Sequence, residues 1–416
     1  MKLKPGWRHV KLSDIAKIKS GSTPLRAEGE RYFSTAGTPW VKTLDLNNGE
    51  IISTDEKITD TALLETSCSV FPVGTVLVAM YGGFNQIGRT GLLTIPAAIN
   101  QALSGLILDR DKAEPAYILN YLNGNVKLWK KFAASSRKDP NITRDDVCGF
   151  PVLLPPLAEQ KKIAKILSTW DNAISVTEKL LANSQRQKKA LMQQLLTGKK
   201  RLLDENGTRF SETWKLYALS KLFQRVTTKN NGKSNNVVTI SGQHGLIKQE
   251  DFFKKTVASD TLDSYFLLKK GQFAYNKSYS NGYPMGAIKR LNRYPEGVVT
   301  TLYICFELTT PKKSCGDYWE HYFESGLLNN SLSQIAHEGG RAHGLLNVKP
   351  SDFFSLKVAV PGFEEQQKIA SVLSAADTEI STLEKKLACL KDEKKALMQQ
   401  LLTGKRRVKV DEAVAV

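Results

Sequence analysis

A segment of twelve residues occurs twice in the chain, 206 positions apart. Residues 188–199 and residues 394–405 both read KKALMQQLLTGK. The Glu-Gln pair at 159–160 recurs at 365–366 with the same offset. An internal copy at this distance predicts a chain built from two similar modules, each followed by a similar long helix.

The other ends of the two repeats also match, because Trp7 and the residues after it resemble Trp214 and the residues after it. One repeat therefore runs from about Trp7 to Lys199, and the other from about Trp214 to Lys405. The predicted organisation has a first module at 1–156, a first helix at 157–201, a second module at 202–361, a second helix at 362–405 and a basic, then flexible tail at 406–416.

Each predicted long helix carries a heptad seam, in which inward positions follow one another at steps of four and three. Neither stretch contains Pro or Gly before Gly198 and Gly404, which are typical of helix ends. A helix that packs only on its own module is one interpretation. Two copies of one seam favour a coiled coil, antiparallel if a pseudo-two-fold axis relates the repeats and about 60 Å long at about 1.5 Å per residue. The positions predicted to pair are Ile163, Leu167, Trp170, Ile174, Leu181, Leu191 and Leu195 in the first helix, and Ile369, Leu373, Ile380, Leu383, Leu387, Leu390, Leu397 and Leu401 in the second.

The modules are rich in short β-type runs separated by Gly, Pro and Asn, which predicts mixed α+β domains rather than alternating βαβ units. Short helices are predicted at Pro115 to Phe132 and at Tyr318 to Ile335. The predicted strand regions are Thr38 to Leu44, Gly74 to Met80, Ser104 to Leu108, Val237 to Ile240, Gly271 to Tyr275, Gly297 to Phe306 and Leu356 to Val360.

The formal net charge of the 416-residue chain is +18, and both modules and the first helix have an excess of basic residues. This charge favours a polyanionic partner, since Lys and Arg gain affinity by releasing counterions from phosphates, although an inert basic surface is the alternative. No apolar run is long enough for a membrane span or a signal peptide, so we expect a soluble, cytoplasmic protein. The five cysteines include no CxxC pair and predict neither a disulfide framework nor a metal site.

Catalytic signatures were not found in the sequence. There is no phosphate-binding GxxxxGK[ST] motif and no GxGxxG after a strand. His337, Glu338 and His343 form HExxxxH, but Gly339 and Gly340 interrupt the helix that a zinc-protease HExxH motif requires. Since no set of acid, base and nucleophile is evident, we expect a chain without catalytic activity.

Several loops concentrate side chains suited to base edges and phosphates. Arg and Lys match guanine O6 and N7, whereas Asn and Gln match adenine N6 and N7. Ordinary turn chemistry explains any single loop equally well, but such loops occur in both modules of a basic chain. The candidate DNA-binding residues are Ser22, Thr23, Lys42, Tyr81, Asn85, Gln86, Arg89, Asn100, Gln101, Arg137, Lys138 and Asn141 in the first module, and Lys229, Gln243, His244, Lys277, Tyr279, Ser280, Asn281, Tyr283, Arg341 and His343 in the second.

The chain resembles the specificity subunits of type I restriction-modification systems over nearly its whole length. The resemblance rests on the Pro-Pro-Leu-x-Glu-Gln-x-x-Ile-Ala segment at 155–164, on its counterpart at 361–370 and on the two LMQQLLTGK helix ends. The module openings and the Asp-Pro-Asn-Ile-Thr segment at 139–143 also fit the family.

The resemblance implies two target-recognition domains, each reading half of a split, asymmetric DNA site, with the paired helices fixing the gap between the halves. It implies docking of two methyltransferase (modification) subunits and, through them, of motor-nuclease (restriction) subunits. It also implies that S-adenosylmethionine, ATP and Mg act on those partners, while this chain holds no cofactor.

Two other functions are compatible with parts of the sequence. A stand-alone enzyme that modifies nucleic acid would show methyl transfer or cleavage without partners. A coiled-coil scaffold that binds proteins would show no salt-dependent binding to duplex DNA.

Overall fold

The computed structural model describes residues 4–134, 141–253, 261–338 and 346–410. These residues form two compact units. The first unit contains residues up to 178 together with residues from 385 onward, and the second contains residues 179–384. Each unit thus combines one predicted module with part of each long helix. The predicted domain boundaries at 156, 201, 361 and 405 lie close to the starts and ends of the two long helices. They stay predictions.

In the parts of the chain that the structure describes, the strands are short and the helices, two excepted, have ten residues or fewer. Among the described residues, no helix is both long and apolar enough to cross a membrane. The strands are β1 (Arg8–Lys11), β2 (Ala16–Ser20), β3 (Phe33–Ser34), β4 (Thr38–Val41), β5 (Glu50–Ile51), β6 (Glu56–Ile58), β7 (Val76–Ala79), β8 (Thr90–Leu93), β9 (Ala98–Ile99), β10 (Leu103–Leu108), β11 (Pro151–Leu154), β12 (Lys215–Ala218), β13 (Phe223–Arg225), β14 (Val238–Ser241), β15 (Gly245–Lys248), β16 (Phe266–Lys269), β17 (Phe273–Asn276), β18 (Ala287–Arg290), β19 (Glu296–Val299), β20 (Ile304–Leu308), β21 (His337–Glu338), β22 (Leu346–Asn347) and β23 (Lys357–Val360). The helices are α1 (Leu12–Ile15), α2 (Asp60–Glu65), α3 (Pro115–Gly124), α4 (Val126–Ala134), α5 (Arg144–Gly149), α6 (Leu157–Leu195), α7 (Leu219–Leu222), α8 (Gln249–Phe253), α9 (Gly316–Glu324), α10 (Asn329–Ile335), α11 (Pro350–Ser355) and α12 (Phe363–Leu401), with 3₁₀ segments at Arg26–Arg31 and Thr43–Asp45.

The first unit is built on a five-stranded sheet with the order β2-β10-β7-β8-β5. A four-stranded sheet, β3-β6-β4-β9, and the pair β1-β11 complete its strands. Its main core contains the fully buried side chains of Val76, Leu106, Tyr117 and Trp129, together with residues from both long helices. Removing these apolar side chains from water is the main force that stabilises the unit.

The second unit is built on a four-stranded sheet with the order β13-β20-β17-β18. Around it lie the pairs β12-β23, β14-β15, β16-β19 and β21-β22. Its main core is aromatic and includes Phe223, Phe273, Phe306, Trp319 and Phe353. Aromatic side chains bury large areas, so a few of them supply most of the apolar contact in a small module.

The two central sheets share a strand order that the sequence did not reveal. The strands β2, β10, β7 and β8 of the first unit correspond in order and direction to β13, β20, β17 and β18 of the second. In each unit an antiparallel pair, β1-β11 or β12-β23, leads into a long helix. The predicted fold class is therefore confirmed: mixed α/β modules with long antiparallel helices and an internal repeat.

Within the first unit, the beginning of α6 runs antiparallel to the end of α12. Lys394 Nζ lies 2.5 Å from Asp171 Oδ1, and Lys391 Nζ lies 2.8 Å from Glu178 Oε1. The partner numbers fall along α12 as the residue numbers rise along α6, which is the signature of antiparallel helices.

Within the second unit, the end of α6 pairs with the beginning of α12 in the same way. Lys188 Nζ lies 2.5 Å from Asp377 Oδ1, and Ser184 Oγ donates a 3.0 Å hydrogen bond to Glu379 Oε1. The Lys188–Asp377 pair repeats the Lys394–Asp171 pair of the first unit at an offset of 206. Lys188 and Lys394 thus form ion pairs across the helices instead of apolar contacts.

The predicted seam faces inward along both helices. Its outer members lie in the module cores, which contain residues from both helices, and its middle members are half-buried. The buried members are Ile163, Leu167, Leu195, Ile369, Leu373 and Leu401. The half-buried members are Trp170, Ile174, Leu181, Leu191, Ile380, Leu383, Leu387, Leu390 and Leu397.

The glutamine of each Glu-Gln motif fastens a long helix to its module. Gln160 Oε1 accepts a 2.9 Å hydrogen bond from the backbone N–H of Glu114, and its Nε2 donates to the carbonyl of Pro155 at 2.8 Å. Gln366 makes the equivalent contact with the backbone N–H of Cys315 at 2.9 Å. Both glutamines are buried, so these hydrogen bonds also satisfy amides that water cannot reach.

Two predicted helices and two predicted strand regions differ from the structure. The region Thr38 to Leu44 forms β4 as far as Val41 and then enters the 3₁₀ segment Thr43–Asp45. The region Pro115 to Phe132 forms two helices, α3 and α4, separated at Asn125, and Tyr318 to Ile335 forms α9 and α10 around Gly326, whose φ is +75°. The region Gly297 to Phe306 supplies two strands, β19 and β20, that belong to different sheets. Gly326 is a local signal that the sequence offered for the break between α9 and α10.

His321 of α9 contacts α12 within the second unit and makes this unit sensitive to acid. Its Nε2 lies 3.0 Å from Ser374 Oγ, and its Nδ1 lies 3.7 Å from Asp377 Oδ2. Burial lowers the pKa of His321 below its ordinary value of 6.5, although Asp377 acts in the opposite direction. The unfolded chain therefore takes up the proton first as pH falls.

We expect the stability of the second unit to be highest above about pH 6.5 and to fall as the pH drops below it. Urea unfolding at pH 7.5 and pH 5.5, followed by a signal from the second unit, measures the difference. His321→Gln should remove part of this difference, while His244→Gln, at an exposed turn, should leave it unchanged. Equal pH dependence in all three proteins would contradict the assignment.

Candidate nucleic-acid interface

The loops of the first module converge because the strands of its central sheet end at one edge. Ser20 at the end of β2 is opposite Ser104, and Ala79 at the end of β7 is opposite Leu103 at the start of β10. Thr90 at the start of β8 is opposite Val78. The connections after β2 and β7, and those before β10 and β8, therefore emerge together.

This edge gathers most of the residues predicted for the first module. The parallel pair β4-β9 ends here too, because the backbone N–H of Asn100 donates to the carbonyl of Val41 at 3.0 Å. Asn141 adjoins the edge through Ile142, whose N–H donates to the carbonyl of Met80 at 2.9 Å. Arg137 and Lys138 lie outside the described residues. The residues brought to the edge are Ser22, Thr23, Lys42, Tyr81, Asn85, Gln86, Arg89, Asn100, Gln101 and Asn141.

The turn after β2 packs tightly on the segment before β10. The backbone N–H of Ser22 donates to the carbonyl of Ile99 at 2.9 Å, and Thr23 Oγ1 hydrogen-bonds to Gln101 Oε1. A Cβ at Gly21 would overlap the backbone carbonyls of Ile99 and Asn100, so a larger residue does not fit this approach. Ser22 Oγ also lies 2.8 Å from Ser67 Oγ, so the hydroxyls of Ser22 and Thr23 are both held by neighbouring segments.

Lys42 is held by an ion pair and is less available than the sequence suggested. Its Nζ lies 2.9 Å from Glu56 Oε1, and Arg26 Nη1 lies 2.7 Å from Glu56 Oε2. Hydrogen bonds from Arg26 and then from Lys42 lower the pKa of the Glu56 carboxyl group. The carboxylate therefore stays charged and keeps both cations at the protein surface.

The loop between β7 and β8, residues 81–89, presents exposed aromatic and amide groups at this edge. Tyr81 is 43% exposed and Phe84 is 48% exposed, and Asn85 beside them is exposed as well. Gly88 has a φ of +75° and lies against the ring of Trp129, where an added Cβ would come within 2.7 Å. The base of the loop is thus fixed, while its tip carries two aromatic rings and an amide.

Two predicted residues of this loop contact each other, and one further side chain, Phe84, belongs among the candidates. Arg89 Nη1 donates to Gln86 Oε1 at 2.7 Å, so these two predicted residues form one hydrogen-bonded pair. Phe84 was absent from the sequence-based set, although it lies inside the YGGFNQIGR loop. The sequence signal was present: an aromatic residue between glycines and an amide can stack on a base.

The second module places its loops at the equivalent edge of its own sheet. Arg225 at the end of β13 is opposite Phe306, and Tyr275 of β17 is opposite Ile304 at the start of β20. Asn276 at the end of β17 is opposite the first residue of β18. The predicted residues brought to this edge are Lys229, Lys277, Tyr279, Ser280, Asn281 and Tyr283.

Tyr283 braces a hairpin turn against this edge. Its hydroxyl hydrogen-bonds to Glu324 Oε1 and lies 2.9 Å from the carbonyl oxygen of Gly242, to which Lys289 Nζ donates at 2.9 Å. Lys289 Nζ also lies 2.5 Å from Glu324 Oε2. Burial, followed by the hydrogen bond with Glu324, raises the pKa of Tyr283 well above 10, so the hydroxyl stays protonated.

The braced turn carries two of the predicted residues. Gln243 and His244 follow Gly242 directly between β14 and β15, and both side chains are exposed. The backbone N–H of His244 donates to Ser241 Oγ at 3.2 Å, which fixes the turn. The structure therefore brings Gln243 and His244 to the loop that contains Tyr283.

The lysines and the tip residues of this edge have different surroundings. Lys277 Nζ donates to the carbonyl of Val348 at 3.4 Å, and burial, followed by the charge of Arg225, lowers its pKa. Lys229 Nζ donates to a backbone carbonyl at 2.7 Å and lies 4.6 Å from the centre of the Phe266 ring. The tip of the loop between β17 and β18 is accessible to solvent, because Tyr279 there is 63% exposed.

Arg225 was absent from the sequence-based set. A sequence signal for it was present, because Arg225 ends a strand that reaches this edge. Asn281 is exposed beside Tyr279. Arg341 and His343 lie outside the described residues. Each module thus offers an exposed tip with an aromatic ring and an amide, above a base held by buried contacts. Such groups can stack on bases and hydrogen-bond to their edges.

Comparisons with known proteins give one consistent result. A family model described as the type I restriction modification DNA specificity domain matches residues 4–183. The type I restriction enzyme MjaVIII specificity subunit of Methanocaldococcus jannaschii is 25% identical over 439 residues, which cover 97% of this chain and 93% of that protein. The EcoKI specificity subunit of Escherichia coli K12 is 21% identical over 411 residues, 93% of this chain and 85% of that protein.

Among solved structures, the S subunit of a type I restriction-modification system from M. genitalium has a similar fold. Its TM-score is 0.58 with 15% identity, over 96% of this chain and 98% of that chain. The likeness extends over both modules and both long helices.

Proposed function

We propose that this chain, which belongs to the specificity-subunit family of type I restriction-modification systems, reads double-stranded DNA in two parts. Each part is read by the loops at one edge of a central sheet. The observation that supports this most directly is that two sheets of equal strand order present exposed aromatic and amide side chains at the equivalent edge. The tips differ in sequence, so the two half-sites should differ as well.

The charge of the chain supports binding to a polyanion. At +18, the basic excess attracts phosphates, whereas the loop tips supply groups that distinguish bases. Phosphate contacts orient a protein on the duplex and base contacts give specificity. Binding should therefore weaken steeply with salt, while the preference among sequences depends on the tips.

Substitutions at the two tips should impair different half-sites. Selection from random duplex DNA with the chain and its methyltransferase partner first defines the bipartite site. Tyr81→Ala with Asn85→Ala should then weaken recognition of one half-site by about 5- to 150-fold, the value of about 1–3 kcal/mol for one good base contact. Tyr279→Ala with Asn281→Ala should do the same for the other half-site.

Val73→Ala provides the control for the tip variants. Val73 is 57% exposed and precedes β7 at the opposite end from the loop 81–89, so its loss should not change DNA binding. If both tip variants weakened all DNA sequences equally, the tips would contact phosphates and the assignment of base reading would be wrong.

The helix pair is proposed as the docking platform for two methyltransferase subunits. Half of the repeated segment KKALMQQLLTGK is exposed in both copies, so packing within the chain does not explain why these residues are the same. Two equal surfaces fit two copies of one partner. The exposed residues shared by the copies are Lys189, Ala190, Gln193, Gln194, Thr197 and Lys199, which match Lys395, Ala396, Gln399, Gln400, Thr403 and Lys405.

Introducing glutamates on these two surfaces should remove the methyltransferase subunits one at a time. Lys189→Glu with Gln193→Glu should leave a complex with one methyltransferase subunit, and adding Lys395→Glu with Gln399→Glu should leave none. Native mass spectrometry of the reconstituted complex counts the subunits. Two bound subunits in the fourfold variant would contradict this docking surface, and folding of each variant is checked by circular dichroism.

In this proposal the chain itself contributes no catalytic group. The methyltransferase subunits would hold S-adenosylmethionine, and the motor-nuclease subunits would use ATP and Mg. Methyl transfer or DNA cleavage by the purified chain alone would instead favour a stand-alone enzyme. DNA binding that does not respond to salt would favour a protein scaffold.

A further inference from the structure

Each unit contains the same network of a buried glutamate, a tryptophan and an arginine. In the first unit, Glu159 is 2% exposed and its Oε2 accepts hydrogen bonds from Trp7 Nε1 and Arg407 Nη2, both at 2.9 Å. Its Oε1 accepts a third hydrogen bond from Arg407 Nε at 2.9 Å. Gly404, with a φ of +68°, lies against the Trp7 ring, where an added Cβ would come within 3.3 Å.

The second unit repeats this network atom by atom. Glu365, also 2% exposed, accepts hydrogen bonds from Trp214 Nε1 at 3.0 Å and from Arg201 Nε and Nη2 at 2.6 and 2.8 Å. Gly198, with a φ of +70°, lies against the Trp214 ring at 3.4 Å from an added Cβ. We call each network a clasp.

A clasp joins three separate segments of its unit. In the first unit, Trp7 precedes β1, Glu159 belongs to the first turn of α6, and Arg407 follows the end of α12. The module opening and both long helices thus meet at one carboxylate. The adjacent Gln160 binds the module at the same turn of α6, so rotation of the module about the helix pair would break hydrogen bonds on both residues.

We propose that Arg407 and Arg201 are positioning residues that set how strictly the DNA spacer length is read. This inference rests on the proposed function. A planar guanidinium that binds both carboxylate oxygens fixes direction as well as distance, which a point charge does not. The clasp therefore holds its module at one angle to the helix pair, and the angle decides where the recognition loops meet the duplex.

The clasp is one of several contacts that anchor the helix ends to the unit. The ends of both helices are also anchored by apolar contacts, since Leu401 and Leu402 belong to the same core as Ile163. The Arg407 side chain is 42% exposed, so water compensates part of its loss. A conservative change at Arg407 should thus alter the module's angle without unfolding the module.

The experiment uses the full chain in its complex with the methyltransferase. Arg407→Lys keeps the charge and removes the two-point contact. Affinity is measured for duplexes that carry both half-sites with spacers from two base pairs shorter to two longer than the preferred length. We expect the preference for the correct spacer over a spacer changed by one base pair to fall by about tenfold, the value of one charge-assisted hydrogen bond. Base preferences within both half-sites should stay as in the unmodified chain.

Matched variants separate positioning from other roles. Arg406→Lys makes the same change one residue earlier, at an exposed side chain, and should leave spacer preference unchanged. Arg201→Lys should relax the same spacer preference from the other unit. Trp7→Phe removes one hydrogen bond to Glu159 but keeps a ring against Gly404. If Arg407→Lys strongly lowers the melting temperature, the spacer preference of Trp7→Phe tests the positioning role instead.

Three results would overturn the inference. Unchanged spacer preference in both Arg407→Lys and Trp7→Phe would remove any positioning role. Loss of base preference in one half-site would assign Arg407 to DNA reading instead. If the unmodified complex itself bound no bipartite site, the proposed function would fail, and this is seen before any variant is made.

Discussion

Adding one heptad to both long helices should lengthen the DNA spacer that the complex recognises by about three base pairs. Seven residues at about 1.5 Å extend each helix by about 10 Å, and one base pair rises about 3.4 Å. The insertions belong between Glu178 and Lys179 and between Glu384 and Lys385, where α6 and α12 pass from one unit to the other. A whole heptad in both helices preserves the seam on each side. Selection from random duplex DNA measures the spacer directly.

The half-site sequences should not change, since the recognition loops are untouched. The same seven residues inserted at the exposed turn between Asn206 and Gly207 provide the control and should leave the spacer unchanged. A preferred spacer that is identical in the heptad variant and the unmodified chain would show that the helices do not determine the distance between half-sites.

Phe306→Ala should destabilise the second unit by about 3–5 kcal/mol, the cost of deleting a large aromatic ring from a packed core. Phe306 is fully buried in β20, stacked on Phe273 with ring centres 5.4 Å apart. It also meets the edges of Phe223 and Phe323 at 5.2 and 5.6 Å. Neighbouring rings cannot fill the space, because each is held by other aromatic contacts.

Chemical denaturation followed by tryptophan fluorescence measures this loss. Leu302→Ala, four residues earlier at a side chain that is 61% exposed, should change stability by less than about 0.5 kcal/mol. Since β20 supports the loops of the second module, Phe306→Ala should also weaken the second half-site more than the first. Equal stability of both variants would mean that this aromatic cluster is not the core of the unit.

The helices were predictable because their signal is local and repeated. A seam with steps of four and three predicted which side chains face inward, and every predicted seam position from Ile163 to Leu195 that was named is buried or half-buried. The repeat of residues 188–199 at 394–405 predicted equal helix ends. These patterns depend on neighbours a few residues apart, which a sequence displays directly.

The candidate site was predictable only as a set of loops. Composition singled out the loop 81–89, but it could not show that Tyr81 and Asn85 are exposed while Lys42 is tied to Glu56. It also could not separate Tyr283, which braces the turn at Gly242, from exposed neighbours. The exposure of a side chain and its contacts with other loops depend on residues that are far away in the sequence.

The sequence by itself determined that the chain is a duplicated molecule with two basic modules and two seamed helices, because repetition, periodicity and charge are properties of the chain as written. Only the tertiary structure decided that both modules share one strand order, that their candidate DNA-binding loops emerge from the equivalent edge, and that Glu159 and Glu365 each bind an arginine from beyond the end of the other helix. Strand pairing and the two arginine–glutamate ion pairs join residues that are far apart in the sequence, and their free energy depends on distances that exist only after folding.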